Sequence, residues 1–377
     1  MQKRRLSALF LAALTVLLLY PNKKSAALQN GNASAASLAL MEVSSGRLIC
    51  AKNEHTSMEM ASTTKILTAI VAIEYGNLNA MVAVDDSAIG VEGSSIYLAK
   101  GEKMQLSDLL YGLMLRSGND AAVAIAIHIS GSVEKFAALM NEKARAIGCT
   151  DSNFANPNGL HADGHYTSAQ DLCMISAYAM RNPVFRTIVS TTYHTAESGD
   201  IQRTWKNKNK ILWEFDGGCG VKTGYTKAAG KCLVFAAERD GVLLVGVVLN
   251  APDMWNDAKS LLEYGFSVCT MVTLIGKDTP VTNIYVTGSE KKWLEVYTKG
   301  DILYPSLADI DEEITFTVDM PHQVTGPLYA GDCVGKLYAE CNGQRIAQCD
   351  LVVREDAPLA AFPYYFYEVL HDFLCGA

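Results

Sequence analysis

Residues 232–238 and 242–250 are two strongly apolar segments held apart by Asp240-Gly241. Few patterns leave a chain less freedom. Both residues of such a pair accept the positive φ angles of a two-residue turn, so the flanks are predicted to form adjacent antiparallel strands. A further strand is read at 221–223, and a helix at 256–266 follows the hairpin. At the other end of the chain, segments 38–43 and 47–51 alternate around Ser45-Gly46, again as two strands. Helical periodicity fills the middle. Residues 62–75 read as a largely apolar, hence buried, helix, and 106–115 and 120–129 as a helical pair broken at Ser117-Gly118. Strands first, helices next, then a hairpin and a helix imply one antiparallel sheet shared by the first and late strands, with helices flanking it. The class is α/β, in the α+β sense. Beyond about residue 280 the texture changes to short alternating strands (283–287, 293–297, 313–318, and a hairpin through Asn342-Gly343), which predicts a separate small all-β, sandwich-like domain.

The N-terminus reads as an export signal over residues 1–27. Lys3, Arg4 and Arg5 precede an apolar run at 6–20, and Ser25 and Ala27 offer the small side chains that cleavage needs. The chain of 377 residues carries a formal charge of −8. Removing 1–27 takes away five basic residues (the three above, Lys23 and Lys24) and no acidic one, leaving −13. So acidic a protein, without a Lys/Arg run, argues against nucleic acid as a partner. The ten cysteines lie scattered, with no C-x-x-C pair and no histidine at ligand spacing, and are read mostly as buried small hydrophobes. No metal or organic cofactor is implied. The expected division is 1–27 signal, 28–275 main domain, 276–357 β domain and 358–377 an amphipathic tail. In that tail Phe362, Phe366, Val369, Leu370 and Phe373 share a helical face, while Glu368 and Asp372 are acidic and no Lys or Arg is present. Peripheral contact with a membrane and packing on the β domain are both open.

A serine hydroxyl is a poor nucleophile until a base takes its proton, and the chain has no G-x-S-x-G motif. The alternative is a lysine three residues on, which shares a helical face with the serine. That spacing occurs three times, and environment separates the cases. Ser132 and Lys135 open a solvated helix; Ser289 and Lys292 fall in a turn of the β domain. Ser62 instead begins the apolar run 66–73, which buries Lys65 and disfavours its charged form, while the helix N-terminus favours negative charge on the attacking oxygen. Ser117-Gly118-Asn119 is the sole S-x-N, and Lys222-Thr223-Gly224 the sole K-[ST]-G.

With these motifs in this order, the sequence resembles the low-molecular-mass penicillin-binding D-alanyl-D-alanine carboxypeptidases, the serine peptidase family that includes penicillin-binding protein 5 and sporulation-associated members. The likeness extends through Asn156-Pro157-Asn158-Gly159-Leu160, the block from His165 to Leu172, Leu212-Trp213, and Tyr225-Thr226. It implies a β-lactamase/transpeptidase-like fold and removal of the terminal D-alanine from peptidoglycan stem peptides through an acyl-enzyme, with β-lactams as covalent inhibitors. It further implies that Ser62 attacks, Lys65 takes its proton and Ser117 relays a proton to the leaving amine. Asn119 bonds the substrate backbone, Lys222 and Thr223 hold the terminal carboxylate, and Gly224 lets the substrate lie along the strand. The N–H groups of Ser62 and Tyr225 form the oxyanion hole. One departure is Lys208, where relatives often carry arginine; charge is kept and the bidentate fork lost. A β-lactamase would need an E-x-x-L-N block, which is absent. A non-catalytic wall-binding or penicillin-sensing module would tolerate loss of Ser62, Lys65 or Lys222, and all are present. His165 is read as bonding its own loop and Cys219 as a packed strand thiol. The implied location is extracytoplasmic, at the wall or outer membrane face.

Overall fold

The structure, a computed structural model, describes residues 33–199, 201–308, 313–341 and 343–375. The export signal read at 1–27 and the Asn342 of the predicted hairpin lie outside the described residues, as do the side chains of Glu368 and Asp372. Strands β1 (Ser37–Glu42) and β2 (Leu48–Lys52) pair antiparallel, with Gly46 at φ 71 in the turn between them. A 3₁₀ turn (Ala61–Thr64) then runs into helix α1 (Lys65–Tyr75). The ribbon β3 (Met81–Ala83) and β4 (Lys103–Gln105) leads to α2 (Leu106–Tyr111), a π turn (Gly112–Arg116) and α3 (Asn119–Ser130). Helices α4 (Val133–Ile147), α5 (Ala169–Met180) and α6 (Pro183–Ser190) follow. A second ribbon, β5 (Tyr193–Ser198) and β6 (Ile201–Lys206), and the short α7 (Ile211–Glu214) precede β7 (Gly218–Thr226), β8 (Gly230–Arg239), β9 (Val242–Leu249) and α8 (Met254–Val268).

Five of these strands form one antiparallel sheet in the order β2-β1-β9-β8-β7, so the first and late strands do share it. Asp240 (φ 49) and Gly241 (φ 80) both adopt the positive φ that the β8–β9 turn demands. The sheet is covered on both faces. Ala39, Met41, Val245 and Val247 point into the core shared with α1 and α5, whereas Leu40 and Leu244 meet Gly265 of α8. That is why every residue of β9 is buried and its sequence is apolar without alternation. Strand β7 ends the sheet, leaving one edge for other partners.

Two predicted helices differ in detail. The segment read as a helix from residue 62 begins with three residues of 3₁₀ turn, because the hydroxyls of Thr63 and Thr64 bond the carbonyls of Met60 (2.6 Å) and Ala61 (2.9 Å). The segment read over 106–115 is α-helical only to Tyr111 and widens into the π turn before Ser117 reverses it at φ 67.

The residues from Met271 onward form a second compact unit. Strands β10 (Cys269–Ile275) and β13 (Ile302–Leu307) pair in one small sheet. Strands β11 (Pro280–Thr287), β12 (Trp293–Thr298), β14 (Ile314–Asp319), β15 (Gln323–Thr325), β16 (Cys333–Cys341) and β17 (Gln344–Val353) make a six-stranded one. Its order is β14-β16-β17-β12-β11-β15. Val272, Tyr304, Ile284, Val296, Leu337 and Leu351 belong to a single core that both sheets enclose, so the unit is all-β. Helix α9 (Phe362–Cys375) closes the chain. Of the cysteines, Cys149, Cys173, Cys219, Cys232 and Cys269 are buried free thiols. Burial pushes those of Cys149, Cys219 and Cys269 up to about 12, which keeps them protonated and inert.

Candidate active site

The 3₁₀ turn places side chains three residues apart almost in register. Ser62 is the second residue of that turn and Lys65, three residues on, the first of α1, and Lys65 Nζ lies 3.0 Å from Ser62 Oγ. Lys65 is fully buried. Its Nζ also reaches Asn119 Oδ1 (2.7 Å) and the carbonyl of Asn158 (2.5 Å). Burial, reinforced by the charges of Lys222 and Lys208, holds its pKa well below the ordinary lysine value. A neutral amine has two N–H groups and one lone pair. With two carbonyl oxygens taking the N–H groups, the lone pair is left to face Ser62 Oγ.

Asn119 sits at the start of α3, just past the reversal at Ser117. Its Nδ2 donates to the carbonyl of Glu92 (2.5 Å), so both ends of the amide are oriented. Gly93 (φ 92) allows this approach, since a Cβ there would stand 2.8 Å from Asn119 Nδ2. Next to it, buried Asp120 accepts the N–H groups of Ile96 (3.1 Å), Leu98 (3.1 Å) and Ala121 (2.9 Å) and the Ser95 hydroxyl (2.6 Å), tying loop 94–98 to α3.

From the other side comes β7. Gly224 packs closely there, because a methyl would stand 3.1 Å from both the Met60 oxygen and the Ser62 nitrogen. Lys222 is buried, and its Nζ donates to its neighbour's carbonyl, Thr223 O (2.9 Å). Burial, then the charge of Lys208, lowers its pKa to about 7. Lys208 is itself depressed, by burial and then by Arg116. Three cations therefore converge on one side of the site, a pattern that suits an anionic ligand.

Between α1, α3 and β7 opens a cleft of about 550 Å³. Ser62, Ser117, Thr223, Gly224 and Tyr225 line it, with Lys208 at one side and Lys231, Met254 and Trp255 beyond. The residues singled out from the sequence thus come together, Lys65, Asn119 and Lys222 standing just behind the wall. Ser117 Oγ carries no hydrogen bond to either lysine among the described residues and is open to the cleft. Sequence reasoning missed Asp120, which adjoins the S-x-N motif, and the Asn158 carbonyl, for which a backbone group offers no signal. The other two S-x-x-K motifs lie elsewhere: Ser132 caps α4 by accepting from Lys135 N (3.2 Å), and Ser289 caps a turn between β11 and β12 through Lys291 N (3.1 Å). Among the described residues no cluster of metal-ligating side chains occurs.

An antiparallel sheet with helices on both faces and a serine–amine pair beside its edge strand defines the serine–lysine class of acyl-transferring enzymes. Residues 22–253 match the family model described as D-alanyl-D-alanine carboxypeptidase, and residues 270–358 match that of the penicillin-binding protein 5 C-terminal domain. The chain belongs to this carboxypeptidase family and is a serine-type peptidase. It is 29% identical to D-alanyl-D-alanine carboxypeptidase DacF of Bacillus subtilis over 348 residues, 90% of either chain. Penicillin-binding protein 5 from Haemophilus influenzae superposes with a TM-score of 0.64 at 27% identity, covering 88% of this chain and 100% of that one. A mutant of the Streptomyces K15 DD-transpeptidase gives 0.60 at 33% identity, covering 63% of this chain and 99% of that one.

Proposed function

We propose that the cleft binds the D-alanyl-D-alanine end of a peptidoglycan stem peptide, cleaves its last peptide bond through an ester on Ser62, and is acylated by penicillins at the same oxygen. The observation that carries this reading is the buried Lys65 amine, 3.0 Å from Ser62 Oγ with its other bonding directions taken by Asn119 and Asn158. The substrate adds as a strand along β7, with Gly224 giving the clearance and the remaining N–H of Asn119 Nδ2 meeting the peptide backbone. Its terminal carboxylate goes to Lys222 and Thr223, and Lys208 adds positive charge without a guanidinium's fork. Ser62 Oγ attacks the penultimate carbonyl as its proton passes to Lys65. The N–H groups of Ser62 and Tyr225 receive the oxyanion, an interaction worth about 3 kcal/mol per donor. Ser117 hands a proton to the departing D-alanine amine and takes in its place the proton that Lys65 received from Ser62, which returns Lys65 to the neutral amine. Water, deprotonated by Lys65, then hydrolyses the ester.

Such a substrate lies outside the cytoplasm, which fits the export signal read at 1–27 and the tail. In α9 the side chains of Phe362, Phe366, Val369, Leu370 and Phe373 are all exposed rather than packed away. We infer that this face rests on the membrane surface. Among the described residues no single helix is long and apolar enough to span one. The reaction is tested by mass spectrometry of a peptide ending in D-Ala-D-Ala: wild type releases D-alanine, and Ser62→Ala releases none and is not labelled by a fluorescent penicillin. Turnover by Ser62→Ala would remove the nucleophile from this scheme.

A further inference from the structure

The polar loop 155–165 carries one side chain that this reaction leaves unused. His165 is 4% exposed, and its Nδ1 accepts the N–H of Ala155 at 3.0 Å. The neutral ring therefore has its proton on Nε2, 2.9 Å from Thr64 Oγ1. Thr64 Oγ1 receives that N–H and gives its own proton to the carbonyl of Ala61, 2.9 Å away. Burial, then the charge of Lys65, keeps the ring neutral, with a pKa near about 4.

The end of this relay is what matters. Ala61 O and the N–H of Ser62 belong to one planar trans peptide and point in opposite directions. Whatever fixes the carbonyl also aims the amide. The peptide is not held by local preference, because Ala61 sits at φ 49, where an L side chain is uncommon. It is held from outside. Gly159 of the same loop passes so close that a Cβ there would lie 2.0 Å from Ala61 O. The loop is tied to α1 at two further points, Lys65 Nζ to Asn158 O (2.5 Å) and Thr68 Oγ1 to Pro157 O (2.6 Å).

We propose that His165 is a positioning residue which, through Thr64, orients the Ser62 amide N–H toward the oxyanion of the tetrahedral intermediate. This rests on the reading of the cleft as a carboxypeptidase site with Ser62 N as an oxyanion donor. The loop's spacing from the chemistry matches such a role: His165 hydrogen-bonds neither nucleophile nor base, but Ala155 of its own loop and Thr64 of the turn that carries Ser62.

The test uses the full chain with His165→Ala, His165→Gln, Thr64→Val and the double variant His165→Ala/Thr64→Val. Glutamine supplies an acceptor oxygen and an N–H donor, the two kinds of group that the neutral imidazole uses here. His165→Ala and Thr64→Val should each lower kcat for D-alanine release and the acylation rate by fluorescent penicillin about 10- to 100-fold, the scale of a misaimed catalytic group, while KM stays within about 2-fold. They should weaken the adduct of a peptide boronic acid in parallel. His165→Gln should recover most of the rate, and the double variant should be no slower than the worse single one. Equal melting temperatures for Thr64→Val and wild type separate aim from folding. The proposal is overturned if Thr64→Val acylates within about 3-fold of wild type, if the loss appears in KM alone, or if the two substitutions add. Absence of D-alanine release by the wild type would instead remove the carboxypeptidase reading itself.

Discussion

Lys65 and Lys222 are buried in one site, each made less basic by its loss of water, and Lys65 further by the charge of Lys222. The roles proposed for them need opposite protonation states. Lys65 accepts a proton only when neutral, so acylation rises with pH as Lys65 is deprotonated. Lys222 attracts a carboxylate only when charged, so kcat/KM falls as pH passes through about 7, where its proton leaves in the free enzyme. A bell-shaped profile of kcat/KM is the expected outcome. In Lys222→Arg the guanidinium stays charged over the whole range, and the alkaline limb should move beyond about pH 9. Should the variant's alkaline limb coincide with that of wild type, the assignment to Lys222 fails. At this scale Ser62 and Lys65 were legible from their spacing and the apolar run behind them. The Asn158 carbonyl was not, because every residue carries one and only the chain path decides which faces the amine.

The elements that frame the cleft are held by polar contacts as much as by the core. Arg203 on β6 forms a two-pronged pair with Glu102, Nη1 to Oε1 at 2.6 Å and Nη2 to Oε2 at 3.0 Å, and also donates to Tyr97 O (2.8 Å). The carboxylate is 4% exposed. Burial raises its pKa, yet the Arg203 bonds and the Ala99 N–H outweigh that and hold it below the usual glutamate range. Arg203→Ala leaves this charge buried and unpaired, at about 3 kcal/mol, so the melting temperature should drop by about 6–12 °C. Arg203→Lys should recover less than half of that, since a point charge cannot replace the fork. A drop under about 2 °C for the alanine variant would show that loop 97–102 is held by other contacts. The β5–β6 ribbon bearing Arg203 was not anticipated from the sequence. It alternates only weakly and has an exposed face, so what defines it is pairing, which a linear pattern does not display. The β8–β9 hairpin, by contrast, carries its own turn and was legible outright.

Considered as a whole, the chain couples a catalytic unit to an all-β unit that ends in α9. The exposed apolar face of that helix carries no lysine or arginine. The membrane contact proposed for it would then be apolar, with little dependence on anionic lipid or salt. The chain should sediment with zwitterionic vesicles at low and high salt alike, and the same chain ended at Ala360 should remain in the supernatant with D-alanine release within about 2-fold. Sedimentation of the shortened chain would place the contact elsewhere. By itself the sequence determined the two textures of the chain, the hairpin and the apolar helix behind Ser62, because these depend on local turn chemistry and on periodicity. Only the tertiary structure decided that α1, α3, β7 and loop 155–165 come together around one site, that Lys222 loses its water there beside Lys208, and that a histidine about a hundred residues on reaches the peptide preceding the nucleophile. Desolvation, charge repulsion and the aim of an amide are set by what surrounds a group, and those surroundings come from segments far apart in the chain.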